Sequence, residues 1–149
     1  MPFMPFPYIR MKANDCPGVA FLRTSCATSL ISESFALKAN LLCNIDRSDY
    51  QTIYVPITEG AKVLGWIDDV QVRIDELNLQ FVYRLGVVSD KHLPVFAPKK
   101  FDILIATDFM CDLGLGIHMP KLAITHKDKM AKFLTEDEQL ELEFHREDD

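Results

Sequence analysis

The feature that most narrows the choice of fold is a run of short segments with strand periodicity, separated by turn chemistry and leaving little room for long helices. "YIRMK", from Tyr8, alternates polar and apolar residues, "NDCPG" is a turn cluster, and "VAFLRT" is a short apolar run. Together they predict a β-hairpin. Further along, "IYVPI" and "KVLGWIDDVQVRI" flank the turn "TEGA" (Thr58, Glu59, Gly60 and Ala61), "NLQFVYRLGVV" follows, and "KLAITH" adds one more strand. Strand after strand in this order argues for a mainly β sandwich or barrel.

Helical signals are few. "SLISESFALKANLL" reads as a turn with a short helix around residues 32–38. After the apolar "FDILI", residues 107–113 suit a second short helix whose N-cap would be Thr107 or Asp108. The end of the chain carries two competing patterns. Thr135 with Glu138 forms a capping box, whereas "QLELEF" alternates with period two and would place Leu140, Leu142 and Phe144 on one face of a strand. Both readings stay open from the sequence.

The chain has 149 residues, 48% of them hydrophobic, enough for one domain with its own core. Prolines at positions 2, 5 and 7 deny ladder donors and mark residues 1–7 as an extended arm. The domain proper is read as 8–127, and 128–149 as an acidic extension. Residues 135–149 hold eight carboxylates and one arginine, a balance of −7, so out of the formal total of −6 the rest of the chain stands at +1. A near-neutral body without a basic stripe gives little electrostatic footing for nucleic acid, and no nucleic-acid partner is expected.

Cys16, Cys26, Cys43 and Cys111 are widely spaced, with no CxxC pair and no histidine at ligand spacing, so neither metal nor other cofactor is expected. His92, His118, His126 and His145 are scattered and suit surface positions. The opening "MPFMPFPYIR" has neither a basic n-region nor an unbroken apolar stretch, which argues against a signal peptide or a membrane span. The expected setting is intracellular, cytoplasmic or nuclear, with reduced thiols and no membrane partner.

Three stretches, "AFLRTSCATSLIS", "VPITEGAKVLGWI" and "FDILIATDF", follow one another in an order that resembles the retropepsin-like aspartic proteases of retroviruses and long-terminal-repeat retrotransposons. The family's signature is an apolar run into Asp-Thr-Gly-Ala, then a serine and a hydrophobic pair, a flap hairpin, and Asp-Ile-Leu-Leu-Gly before a short helix. The resemblance spans Tyr8 to about Thr125. It implies a closed β barrel with one short helix after the Asp-Ile-Leu-Ile segment, and a flap at Thr58, Glu59, Gly60 and Ala61.

The first motif departs from the family at the reacting group. Matching Thr24, Ala27, Thr28, Ser29, Leu30 and Ile31 to their counterparts sets Arg23 on the catalytic aspartate, Ser25 on the glycine and Cys26 on the alanine; Ala106 likewise stands for the glycine of the second motif. Family members work as two identical chains whose aspartates share a proton, one acting as base toward water and the other as acid. A guanidinium carries donors only and stays protonated, so it serves neither role. No carboxylate among Asp15, Glu59, Asp102 and Asp108 occupies the strand-to-turn position.

The resemblance therefore implies a domesticated pseudoprotease, not an enzyme. It would be a homodimerisation and protein-interaction scaffold whose two-fold contact uses Arg23, Thr24 and Ser25, with a protein or peptide as partner. The alternative is an aspartic endopeptidase, active through a displaced carboxylate or by pairing with an Asp-bearing chain. Two guanidinium groups ~4 Å apart would repel by about 4 kcal/mol at an effective dielectric of 20. Arg23 is accordingly expected to find an acidic partner in Glu59, Asp102 or the acidic tail, with a solvated side chain on an open turn carrying equal weight and an anion or acidic-peptide site third.

Overall fold

The computed structural model describes residues 6–47, 52–53 and 61–144. Strand β1 (Tyr8–Ala13) folds back on β2 (Cys16–Leu22) as the sequence predicts, with Met11 opposite Gly18. The two residues between them, Asn14 and Asp15, have φ of 50° and 62°. Both positions being left-handed gives the tight hairpin turn that matches strand twist, and Asn and Asp tolerate it best after glycine.

Five further strands follow. They are β3 (Leu30–Ser32), β4 (Thr52–Ile53), β5 (Ala61–Ile74), β6 (Leu79–Val88) and β7 (Ile103–Ile105). The sheet order is β1-β2-β7-β3-β6-β5-β4, and β1 also pairs with β5 through Lys12↔Arg73 and Ala13↔Val72. That last pairing closes six strands into a barrel and leaves β4 outside it, on the far edge of β5. The mainly β expectation is met.

Two hydrophobic clusters sit on the two sides of this sheet. Ala20, Leu22, Ile31, Ile103 and Ile105 point into one; Phe21, Leu30 and Leu104 point into the other. Strands buried on both faces need apolar residues at successive positions, which is why β7 and the Leu30–Ile31 pair of β3 do not alternate.

The short helices have local causes. Helix α1 (Glu33–Lys38) starts where Ser32 accepts a hydrogen bond from the Phe35 N–H, close to the expected 32–38. A one-turn helix α2 (Leu93–Phe96) breaks the loop between β6 and β7. Helix α3 (Thr107–Leu113) matches its expected span but not its cap: the N-cap is Ala106, without a side-chain bond. Thr107 and Asp108 are spent elsewhere. The Thr107 hydroxyl donates to the Cys26 carbonyl, and Asp108 accepts from Ser29.

Beyond α3 the chain builds a small antiparallel sheet of β8 (Gly116–His118), β9 (Ala123–His126) and β10 (Lys129–Lys132). Only β9 was expected. Residues 129–144, read from charge as an acidic extension, run back over the barrel, with Phe133 in one cluster and Leu134 in the other.

The two patterns at the chain's end resolve in favour of helix α4 (Glu136–Leu140), with both bonds of the Thr135–Glu138 capping box in place. Gln139 is buried and its amide donates to the Phe6 and Leu134 carbonyls, while Leu140 is 56% exposed. A single apolar face through Leu140, Leu142 and Phe144 is thereby excluded. Residues 1–5 of the N-terminal arm and 145–149 of the acidic end lie outside the described residues. No helix among the described residues is long and apolar enough to cross a membrane.

Candidate functional site at the end of strand β2

Arg23 follows β2 directly. Its N–H donates to the Ile105 carbonyl at 2.9 Å, continuing the parallel β2–β7 ladder by one residue. The turn that follows is fixed from beneath by the start of α3. The Thr107 N–H and hydroxyl both donate to the Cys26 carbonyl at 3.0 Å. Ser29, fully buried, donates its hydroxyl to Asp108 Oδ1 at 2.7 Å and accepts the Ala106 N–H at 2.9 Å. Its own N–H reaches Asp108 Oδ2 at 3.2 Å. The two sequence motifs thus become one cross-braced unit, with Thr24 and Ser25 exposed on its outer side.

Arg23 has no carboxylate partner among the described residues, so neither Asp102 nor the tail up to residue 144 supplies the expected acidic one. Its Nε donates to Ser25 Oγ at 2.9 Å, and Nη1 donates to the carbonyls of Phe96 at 2.7 Å and Val95 at 3.2 Å. The reason lies in α2: a single helical turn leaves its last carbonyls without intrahelical partners, and a nearby arginine satisfies them. Asp102 sits away from Arg23: its Oδ2 accepts the Val19 N–H at 2.8 Å, well back along β2. In the tail, Glu143 pairs with Lys99 at 2.7 Å. Glu59 lies outside the described residues, as do Thr58 and Gly60 of the expected flap; of Ala61 the backbone pairing with Ile53 is described.

Beside Arg23, a hollow of about 330 Å³ is walled by Phe21 and by residues 94–98 of the α2 segment. Neither substituted glycine position strains the backbone. Ala106 is extended at φ −104°, and Ser25 is not among the residues with positive φ. Of the other carboxylates, Asp15 sits on the β1–β2 turn, 3.5 Å from Arg73, and Asp108 is held by Ser29. Burial pushes the Asp102 carboxyl above its ordinary range, against the Val19 N–H bond that lowers it. Trp66 is buried in the second cluster, and the Arg84 guanidinium lies 4.4 Å from its ring centre. Among the described residues no three His, Cys, Asp or Glu side chains assemble into a metal site.

Sequence reasoning missed the contribution of Val95 and Phe96. Main-chain acceptors carry no residue signature, and the only hint was Pro94, which suits the first turn of a helix.

A closed barrel whose first hairpin, central double-sided strands and α3 converge on one turn is a retropepsin-like fold. Comparison with solved structures bears this out. The chain is similar to the retroviral protease-like domain of Ddi1 from Leishmania major, at 16% identity and a TM-score of 0.70, over 91% of this chain and 98% of that one. It is also similar to EIAV protease complexed with the inhibitor HBY-793, at 17% identity and a TM-score of 0.54, over 76% of this chain and 92% of that one. No protein-family profile matches the sequence, and no curated protein matches it.

Proposed function

We propose that this chain is a pseudoprotease: a retropepsin-like domain that homodimerises through the Arg23–Thr24–Ser25 turn and serves as a scaffold for a protein or peptide partner, without hydrolysing peptide bonds. The observation that carries the reading is Arg23 itself. At the strand exit stands a guanidinium committed to two main-chain carbonyls and a serine hydroxyl. Aspartic proteolysis needs a carboxylate pair there to activate water and protonate the leaving amine, and a group with donors only supplies neither step.

Thr24 supports the dimer half of the proposal. It is exposed, and its hydroxyl makes no hydrogen bond to the described residues, so it is available to a second copy. A contact of this kind is self-complementary and closes as a two-fold. The four cysteines are unpaired, which fits a reducing, cytoplasmic or nuclear setting.

The test is sedimentation of the wild type beside Thr24→Ala over a wide concentration range, with cleavage of an unstructured substrate followed at mildly acidic pH. A concentration-dependent dimer that Thr24→Ala weakens, together with intact substrate, is the expected result. A wild type that stays monomeric sinks the scaffold reading. Cleavage by the wild type would support the endopeptidase alternative, through a displaced carboxylate.

A further inference from the structure

A second hollow, of about 520 Å³, lies against the β1–β2 hairpin at Gly18. Gly18 is five residues from Arg23, roughly 16 Å along an extended strand, so this hollow is separate from the turn discussed above. A Cβ at Gly18 would stand 2.7 Å from the Phe35 ring and 2.9 Å from Asp102 Oδ2. Only glycine admits the Asp102 carboxylate so close to the strand. Met11, Pro17 and Val19 supply apolar lining.

The charges around the hollow are unbalanced. Lys12 is paired with Asp75 at 3.2 Å, and Arg10 with Glu138. Glu76 and Asp102 remain, and among the described residues neither has an ion-pair partner. Glu76 accepts only the Lys132 N–H at 3.3 Å, and Asp102 only the Val19 N–H. Burial, with Asp90 adding to it, holds the carboxyl above its ordinary range against the Val19 N–H bond and against Lys100 and Lys38, which act from beyond ion-pair distance. A partly buried carboxylate without an ion-pair partner, opening into a hollow of ligand size, is an incomplete arrangement that a cation would complete.

We propose that this hollow binds an ammonium group on a short apolar stem, anchored on the Asp102 carboxylate with Glu76 at the rim and Met11, Pro17 and Val19 against the stem. The chemistry is that of a lysine side chain offered by a protein partner, or of a free aliphatic diamine.

The experiment is an amide chemical-shift titration of the whole chain with 1,5-diaminopentane, with a capped Gly-Lys-Gly peptide, and with glutarate as the anionic control. Saturable shifts at Gly18 and Val19 with the two cationic probes, and none with glutarate, are expected. Asp102→Asn keeps an oxygen for the Val19 N–H but loses the charge, and should weaken binding by about tenfold. Glu76→Gln should weaken it by a smaller factor, which keeps the test intact if Asp102→Asn fails to fold. Tighter binding of the peptide than of the diamine assigns the site to a protein lysine, and the reverse order to a free amine. Absence of saturable shifts, equal binding by both variants and wild type, or equal binding of glutarate would overturn the proposal.

Discussion

Replacing Ser29 with alanine removes one oxygen atom, and the geometry around it predicts a disproportionate loss of stability. The hydroxyl is fully buried, donating to Asp108 Oδ1 at 2.7 Å and accepting the Ala106 N–H at 2.9 Å. In Ser29→Ala the Ala106 N–H keeps no acceptor, which costs about 1–3 kcal/mol for a buried donor, and the bond to the carboxylate goes with it, nominally a further 1.5–3 kcal/mol. Asp108 still receives the Ser29 and Phe109 N–H groups, so the second figure is softened. The net expectation is roughly 2–4 kcal/mol, against a few tenths for an exposed neighbour such as Thr24→Ala.

Urea unfolding should register this as a lower midpoint at unchanged slope, since the surface exposed on unfolding is the same. A double-mutant cycle with Asp108→Ala isolates the coupling, expected at about 1 kcal/mol or more. A loss below about 0.5 kcal/mol for Ser29→Ala would refute the reasoning, because it would mean that Ser29 does not brace the two motifs.

Three further outcomes follow from the same geometry. Gly65→Ala would put a Cβ 2.6 Å from the Asp46 carbonyl and 2.7 Å from Ile45, so β5 must shift; thermal unfolding should show a cost of about 1–3 kcal/mol, and a neutral substitution would contradict that packing. Because burial raises the Asp102 carboxyl in the folded state, the native chain binds that proton before the unfolded chain does. Its contribution to stability then falls as pH rises from the ordinary carboxylate range through the raised value, and Asp102→Asn should remove that component from a denaturation series across acidic pH. Arg23→Ala withdraws the donors from the Val95 and Phe96 carbonyls; amide exchange should quicken in the α2 segment and stay unchanged in β5 and β6, and uniform protection would show that Arg23 does not hold that segment.

What the sequence disclosed and what it hid divide along physical lines. The β1–β2 hairpin, β5 and β6 were legible because alternation and turn residues are properties of contiguous chain, and the resemblance rested on the same local motifs. The capping box at Thr135 prevailed over the alternation of "QLELEF" because Gln139 found two main-chain carbonyls and Leu140 found none of the core. Strand β10 was hidden because three of its four residues are exposed and two of those are lysines, so only pairing with β9 makes it a strand. Arg23 was legible as a substitution, but its partners were not. A search for opposite charge cannot find main-chain carbonyls, and these become available only once α2 ends where it does.

The parallel pairing of β2 with β7 sets the order in which this barrel can form. Ala20 lies beside Ile103 and Leu22 beside Ile105, so the two strands come from opposite ends of the barrel's sequence. During synthesis the β1–β2 and β5–β6 hairpins can assemble as soon as their own residues emerge, since each needs only near neighbours. The central slot between β2 and β3 stays empty until Ile103–Ile105 leaves the ribosome. Until then Ala20, Leu22 and Ile31 face water with unpaired strand edges beside them, and this interval is when a nascent chain most needs a chaperone.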